Sequence, residues 1–276
     1  MPTFAVARVT FCRLIFVTFV NNNRIIMRKA IIIGATSGIG REVAVRLVQE
    51  GWEIGITGRR KDALAAFRDE FGSAVHTAAM DVTQPEATEA LDRLIEEMGA
   101  PDLFFYVSGV GYQNRELDLD REIRTVRTNC EGMVRMVDHF INYVRVHPEI
   151  YNDAHKAHIS VISSIAGTAG MGTAPAYSAS KRMVQTYLSA LVQLSRMEKI
   201  PVQFTDIRPG FVATDLLNPE KHYPMLLSKS KAADEVMKAL RRKKRIHTFD
   251  WRFRLMVFGW KCIPRWLWER MTWVKN

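Results

Sequence analysis

Three residues in the second half of the chain have the types and spacing needed to give a proton to a carbonyl oxygen. Tyr177 and Lys181 are four positions apart, so on a helix their side chains project from the same face. An ammonium group beside a phenol favours the phenolate, so this spacing predicts a lowered pKa for Tyr177 and a role in proton transfer. Ser164 lies thirteen residues before Tyr177, where its hydroxyl could hold the same oxygen. A Tyr and a Lys at this spacing also occur by chance on surface helices, so the interpretation depends on the rest of the chain.

A glycine-rich loop near the start of the chain supplies that context. Gly34, Gly38 and Gly40 follow an apolar run at residues 30–33 and precede residues 41–50, where apolar residues recur at helical spacing. Glycines let the backbone approach a pyrophosphate, and the amides at a helix start favour its negative charge. The order of strand, loop and helix therefore predicts a dinucleotide site, with an ordinary turn as the alternative. No Lys-Ser or Lys-Thr follows Gly40, which disfavours an ATP-type phosphate loop.

The second predicted strand, near residues 54–57, is followed by Arg59 and Arg60. An NAD site usually presents a carboxylate here to the ribose hydroxyls, whereas a 2′-phosphate favours an arginine. Residues 57–61 contain no acid, so the sequence predicts NADP(H) as the cofactor. The alternative is a pair of solvated arginines at the start of a helix.

Together these motifs resemble the short-chain dehydrogenase/reductase family, in its NADP-preferring ketoreductase type, over residues 30 to about 215. The resemblance implies hydride transfer between a nicotinamide and a carbonyl carbon. It also implies four catalytic residues, Ser164, Tyr177, Lys181 and Asn129. The cofactor-binding residues that it implies are Gly34, Thr36, Ser37, Gly38, Ile39, Gly40, Arg59, Arg60, Asp81, Val82, Ser108, Gly109, Tyr177, Lys181, Pro209, Gly210, Val212 and Thr214.

Several roles come from the resemblance alone. Asp81 would contact adenine, and Asn129 would hold a water in the proton relay to Lys181. Residues 209–214 would position the nicotinamide carboxamide. Without the resemblance, Asp81 could cap a turn before Pro85, and Asn129 could be a polar residue at a helix irregularity.

One segment departs from the family pattern. Where relatives carry Asn-Asn-Ala-Gly, residues 106–109 read Tyr-Val-Ser-Gly. The first asparagine connects the central strands in relatives, so its loss predicts lower local stability or weaker cofactor binding.

The alternation of strand-like and helix-like segments predicts an α/β fold, a Rossmann-like doubly wound parallel sheet in a single domain. The domain is predicted over residues 27–240 and includes a substrate lid at residues 211–230, rich in apolar side chains. The three cysteines, Cys12, Cys130 and Cys262, are far apart, which indicates a reducing compartment and predicts a cytoplasmic protein. The histidines lack metal-ligand spacing, so no metal site is predicted.

Residues 1–26 precede the first strand and are predicted to be dispensable, with Met27 as the natural start. The alternative is a targeting or membrane segment, since residues 9–20 are mostly apolar, although that stretch is too short to span a bilayer.

The other end of the chain carries its excess charge. From Lys229 onward there are fourteen Lys and Arg but four Asp and Glu, which accounts for the whole net charge of +10. Five of the six tryptophans also lie there. Residues 241–276 are therefore predicted to form a basic amphipathic tail, with Leu255, Gly259, Cys262, Ile263 and Trp266 on one helical face. Such a tail suits the inner face of an anionic membrane. One alternative is that the tail packs within the protein or between subunits. The other is that residues 241–245 contact nucleic acid, which is not expected.

The apolar lid and the tail favour a long-chain or lipid-linked ketone as substrate. The resemblance implies a homodimer or homotetramer, paired through helices near residues 120–145 and 177–197. Two other functions remain open: an epimerase or isomerase on the same fold, and a protein that senses NADP without turnover.

Overall fold

The structure is a computed structural model that describes residues 28–217 and 223–272. The predicted extension at residues 1–26 lies outside the described residues. The described chain forms a seven-stranded sheet in which every pair of neighbouring strands is parallel. The strands are β1 Lys29–Ile33, β2 Glu53–Gly58, β3 Val75–Ala79, β4 Leu103–Tyr106, β5 Ala157–Ile162, β6 Val202–Arg208 and β7 Ile246–Thr248.

The strand order is β3-β2-β1-β4-β5-β6-β7, so the winding of the chain reverses between β1 and β4. The connecting helices are α1 Gly38–Gln49, α2 Lys61–Phe71, α3 Ala87–Met98, α4 Leu119–Val126, α5 Gly132–Val146, α6 Pro175–Met197, α7 Lys229–Arg241, α8 Trp251–Cys262 and α9 Arg265–Trp268. This arrangement confirms the Rossmann-like doubly wound fold. In such folds the ligand crevice lies beyond the carboxyl ends of the strands, at the reversal point.

Helices bury both faces of the sheet. Successive residues of each strand point to opposite sides, so each strand contributes side chains to both cores. In β1, Ile31 and Ile33 pack in the core beneath α3, α5 and α6, whereas Ala30 and Ile32 pack in the core beneath α1 and α7. The near-continuous apolar run of β1 follows from this double burial.

The sheet continues past the boundary predicted at residue 240. Strand β7 pairs with β6, with Asp206 opposite Ile246, and Phe249 beyond it is fully buried. The segment predicted as a separate tail therefore begins inside the sheet. Local sequence could not show this, because a three-residue strand is defined by its partner and not by its own pattern.

Helix α8 packs on the domain through a face different from the predicted one. Phe253 and Val257 are buried against Ile165, while Leu255 and Trp266 of the predicted apolar face are 63% and 60% exposed. Trp273 of the tail lies outside the described residues. Within residues 28–217 and 223–272, no helix combines the length and apolar character needed to cross a membrane.

Candidate active site

A cleft of about 1090 Å³ opens at the carboxyl ends of the strands, where the fold places a ligand site. The catalytic and cofactor residues predicted from the sequence line this cleft, with two exceptions. Arg60 and Asn129 are not part of the wall. The cleft therefore brings together motifs that are more than a hundred residues apart in the sequence.

The glycine loop is packed so tightly that side chains are excluded. Gly34 has a φ of +100°, and a Cβ there would lie 2.8 Å from the Ser108 backbone. A Cβ on Gly40 would lie 2.2 Å from the Gly34 carbonyl oxygen. The amino end of α1, at Ser37 and Gly38, lines the cleft as a result. Its unpaired amides and helix dipole fit a pyrophosphate, so the loop is suited to a dinucleotide.

The two arginines after β2 have different surroundings. Arg59 lines the cleft beside Gly58 and Thr36. Arg60 points back to the glycine loop, where its guanidinium donates to the Thr36 carbonyl at 2.9 Å and to the Thr36 hydroxyl at 3.2 Å. Arg59 is therefore the arginine placed to meet a ligand, and Arg60 supports the loop.

Asp81 lines the cleft and also forms the turn that was its alternative role. Its carboxylate accepts from the Thr83 amide at 3.0 Å and from the Thr83 hydroxyl at 2.8 Å. This turn fixes the position of Val82, the next residue in the cleft wall.

Ser164 and Tyr177 both line the cleft, and the Ser164 hydroxyl is close enough to the Tyr177 phenol to influence its pKa. Ser164 follows β5 and caps a short 3-10 turn, where its oxygen accepts from the Ala166 amide at 3.1 Å. Gly111 lies against the Tyr177 ring, because a Cβ there would come within 2.6 Å of a ring carbon. Both side chains are thus held by backbone contacts before any substrate binds.

The predicted lowering of the Tyr177 pKa is wrong for this structure. Tyr177 is half-buried in the cleft wall. Desolvation of the phenol raises its pKa, and the Ser164 hydroxyl opposes the rise. Lys181 does not counteract it, because its Nζ donates to the Ile162 carbonyl at 3.1 Å and lies 5.7 Å from the centre of the Tyr177 ring. Tyr177 is therefore a neutral phenol at neutral pH, the protonation state of an acid.

Lys181 is a buried cation, 6% exposed. Desolvation by burial lowers the pKa of Lys181 from 10.5 to about 8, while Cys130 and Asp206 act to raise it. Its ammonium lies close to Gly109, since a Cβ on that glycine would be 3.5 Å from Nζ.

Asn129 sits in a π-helical turn, Arg127–Glu131, which joins α4 to α5. Its side-chain oxygen accepts from the Val110 amide at 2.8 Å, and its NH₂ donates to the Val110 carbonyl at 2.8 Å and to Ser180 at 3.0 Å. The helix irregularity that was the alternative explanation for Asn129 is therefore present. Asn129 fixes the loop after β4 from below, and its oxygen lies near Gly109, as the Lys181 ammonium does.

Apolar side chains line part of the cleft, together with the charged residues Asp120, Arg124, Arg127 and Asp215, and one of the apolar residues was not found from the sequence. From the predicted lid, Phe211, Leu216, Leu217 and Tyr223 line it, while residues 218–222 lie outside the described residues. Trp260 of α8 also lines it, and its ring packs edge-on against Trp268 at 5.4 Å. Trp268 in turn donates to the Gly170 carbonyl at 2.8 Å. Nothing in the local pattern marks Trp260, because only the docking of α8 brings it to the cleft.

Comparison with known proteins agrees with this geometry. A family model described as short chain dehydrogenase matches residues 28–223. An uncharacterised oxidoreductase of Myxococcus xanthus is 30% identical over 245 residues, which is 86% of this chain and 93% of the relative.

Two solved structures show the same fold. A 3-ketoacyl-(acyl-carrier-protein) reductase of Brucella melitensis complexed with NADH has a TM-score of 0.71 and 22% identity, covering 81% of this chain and 96% of that one. An actinorhodin polyketide ketoreductase with NADPH has a TM-score of 0.65 and 24% identity, covering 77% and 89%.

Proposed function

The chain belongs to the short-chain dehydrogenase/reductase family and is an NAD(P)-dependent oxidoreductase, and we propose that it reduces a ketone to a secondary alcohol, or catalyses the reverse, with NADP(H). The observation that carries this proposal is that Ser164 and Tyr177 line the same cleft as the glycine loop. A proton donor and a dinucleotide cradle facing one space are what a carbonyl reductase requires.

Each residue of the site has a proposed role. Ser164 holds the carbonyl oxygen, and Tyr177 protonates it. Tyr177 is a protonated phenol at neutral pH, the form that can donate a proton, and burial raises its pKa further. Lys181 and Asn129 form the relay that returns a proton to Tyr177, and the closeness of both to Gly109 supports this. The bound nicotinamide supplies the hydride.

A preference for NADP(H) over NAD(H) is the second part of the proposal. Arg59 lines the cleft where the adenosine ribose is expected, and residues 57–61 offer no carboxylate to ribose hydroxyls. An arginine suits a 2′-phosphate, because its planar donor groups match phosphate oxygens.

The proposed substrate is a long-chain or lipid-linked carbonyl compound. Support comes from apolar side chains that line the cleft, among them Phe211, Leu216 and Trp260. A long apolar chain would replace water along this wall and gain from its burial.

We also propose that the tail meets the inner face of an anionic membrane. The side of α8 and α9 that faces away from the domain is apolar, and its members Trp251, Leu255, Phe258, Trp266 and Leu267 are between 40% and 67% exposed. Arg254, Lys261 and Arg265 flank them and are exposed, so the surface combines aromatic and basic groups. Trp260, on the same helix, lines the cleft, which would place the substrate entrance near lipid.

A homodimer or homotetramer remains part of the proposal. Exposed apolar residues on α4 and α6, among them Leu119 and Met197, offer area for such contacts.

The experiment measures NADPH oxidation with a panel of water-soluble and long-chain ketones, with and without anionic liposomes, using the protein and its Tyr177→Phe variant. We expect turnover of a long-chain ketone that the liposomes increase and the variant abolishes. Turnover confined to soluble ketones would rule out the lipid substrate. Binding of NADPH without any turnover would favour the isomerase or the NADP-sensing protein instead.

A further inference from the structure

A buried carboxylate lies beside the catalytic residues. Asp206 is in strand β6 and is 1% exposed. The Ser163 hydroxyl donates to one of its oxygens at 2.5 Å. Arg208 donates to the other through Nε at 2.8 Å and Nη2 at 2.6 Å. A buried charge with this many donors is held in one position.

The tripeptide of residues 162–164 connects this carboxylate to the site. The Ile162 carbonyl accepts from Lys181 Nζ at 3.1 Å, the Ser163 hydroxyl donates to Asp206, and Ser164 lines the cleft together with Tyr177. Ser163 is also tied to β6 by its amide, which donates to the Ile207 carbonyl at 2.8 Å. Asp206 thus accepts a hydrogen bond from Ser163. This residue lies between Ile162, whose carbonyl binds Lys181, and Ser164.

We propose that Asp206 is a positioning residue of the site, whose buried carboxylate, held by Ser163 and Arg208, keeps Lys181 charged and directed at the Ile162 carbonyl. The inference rests on the proposed role of Lys181 in proton transfer. Asp206 itself touches neither substrate nor cofactor in this proposal.

The charges around Lys181 explain why a carboxylate is needed. Burial lowers the pKa of Lys181 to about 8, and Cys130 and, to a smaller extent, Asp206 oppose this change. Burial also raises the pKa of the Cys130 thiol, so Cys130 is uncharged at neutral pH. Tyr177 is neutral for the same reason. Asp206 is then the negative charge that acts on the ammonium.

Positive groups surround Asp206 on its other side. Arg208 is on the same strand, and Arg245, just before β7, also interacts with the carboxylate. Arg196, from the end of α6, lies close enough to Arg245 to lower the pKa of that guanidinium. These cations weaken the effect of Asp206 on Lys181, so loss of the carboxylate would leave Lys181 near cations without this opposing charge.

The test follows the titration of Lys181 directly by NMR in protein labelled with ¹³C and ¹⁵N lysine, with the resonance assigned by its loss in Lys181→Met. Asp206→Asn alone would leave buried Arg208 without its carboxylate, so the main variant is Asp206→Asn/Arg208→Gln, which places two neutral amides together. Ser163→Ala is the matched control, because it removes the hydrogen bond and keeps the charge. The pH profile of kcat with an active ketone is measured in parallel.

In the double variant we expect the Lys181 titration to move down by about one pH unit, with the limb of the kcat profile that follows Lys181 moving with it. Ser163→Ala should move the titration by less than the double variant does, because the charge remains and only its hydrogen bond to Ser163 is lost. An unchanged titration in the folded double variant would overturn the proposal, as would an equal shift in Ser163→Ala. If the titration moves but the unsubstituted protein reduces no ketone, the reductase proposal fails while the effect of Asp206 on Lys181 stands.

Discussion

Arg59 and Arg60 are adjacent in the sequence but have different contacts. Arg59 lines the cleft, whereas Arg60 donates twice to Thr36 in the glycine loop. Their substitution should therefore affect cofactor binding in different ways. A group that binds a 2′-phosphate distinguishes NADPH from NADH, while a group that supports the loop affects both.

We expect Arg59→Ala to raise KM for NADPH about tenfold or more, because one charge-assisted hydrogen bond to the 2′-phosphate is lost. The KM for NADH should change little. Arg60→Ala should raise KM for the two cofactors to a similar extent. Steady-state kinetics with each cofactor measure this. Equal effects of Arg59→Ala on NADPH and NADH would contradict an NADP preference based on Arg59.

Lys181, which we propose takes part in the proton relay, lowers the stability of the folded protein. Its pKa falls from 10.5 in water to about 8 in the folded protein. Below pH 8 the ammonium is charged in both the folded and unfolded states, so the full cost of its burial is present. Between pH 8 and 10.5 the folded protein releases the proton first, and the cost disappears as pH rises.

The variant Lys181→Met should therefore be inactive but more stable than the original protein at pH 7, by at most about 3 kcal/mol of unfolding free energy. The gain should shrink as the pH rises from 8 towards 10.5. Urea unfolding at several pH values measures it. A variant that is less stable at pH 7 would show that Lys181 stabilises the fold through its hydrogen bond to Ile162.

Among the elements, α8 shows how one large buried side chain contributes to the docking of a helix. The Phe253 ring is fully buried and packs on Gly210, where a Cβ would lie 2.3 Å from a ring carbon. The ring also lies 6.3 Å from that of Phe211, between ring centres. Phe258, on the same helix, is 67% exposed and provides a matched control.

Phe253→Ala should lower the unfolding free energy by about 3 kcal/mol or more and release α8 from the cleft, because a large buried ring is lost. Phe258→Ala should change stability by less than about 0.5 kcal/mol. Thermal unfolding monitors stability, and tryptophan fluorescence monitors the environment of Trp260 and Trp268. Similar losses in the two variants would mean that α8 is not docked through Phe253.

The helix that carries Asn129 shows where prediction from the sequence ends at this scale. The sequence indicated one continuous helix from about residue 120 to 146, and the structure interrupts it with the π turn at Arg127–Glu131. Apolar periodicity reports the buried face of a helix, but a single extra residue in one turn barely alters it. The contacts of the turn are long-range, since Asn129 bonds to Val110.

Tyr106 illustrates the same limit. Its place in the family pattern predicted a weakened connection between strands, but the side chain is 2% exposed and its hydroxyl donates to the Thr128 carbonyl at 3.1 Å. The tyrosine thus joins the end of β4 to the π turn. A longer side chain can reach a partner that the sequence pattern does not reveal.

For the whole molecule, the sequence was sufficient wherever the signal was local. The apolar run at residues 30–33, the glycines after it, and the Tyr and Lys on one helix are each recognisable within a short window. The boundary at residue 240 was wrong because β7 and the burial of Phe249 and Phe253 depend on contacts with β6 and Gly210. Basic and aromatic composition described the surface of the last segment but not the side that packs on the domain.

The architecture of the last segment leads to a prediction about the whole chain. A protein ending at residue 240 would lack β7 and would expose the edge of β6, which carries Asp206. It would also lose two fully buried rings, Phe249 and Phe253, from the packed interior. Large cavities and an exposed parallel edge are each strongly destabilising, so we expect this protein to aggregate or to unfold without a cooperative transition.

A protein ending at residue 262 should behave differently, because it keeps β7, both buried rings and all of α8. It loses Trp268 and the hydrogen bond from its indole to the Gly170 carbonyl, a contact near the protein surface. We expect cooperative unfolding with a Tm within about 5 °C of the full chain. Calorimetry of the two shortened proteins measures the difference. A cooperative transition at an unchanged Tm in the protein ending at residue 240 would show that the stability of the sheet does not depend on residues 241–276.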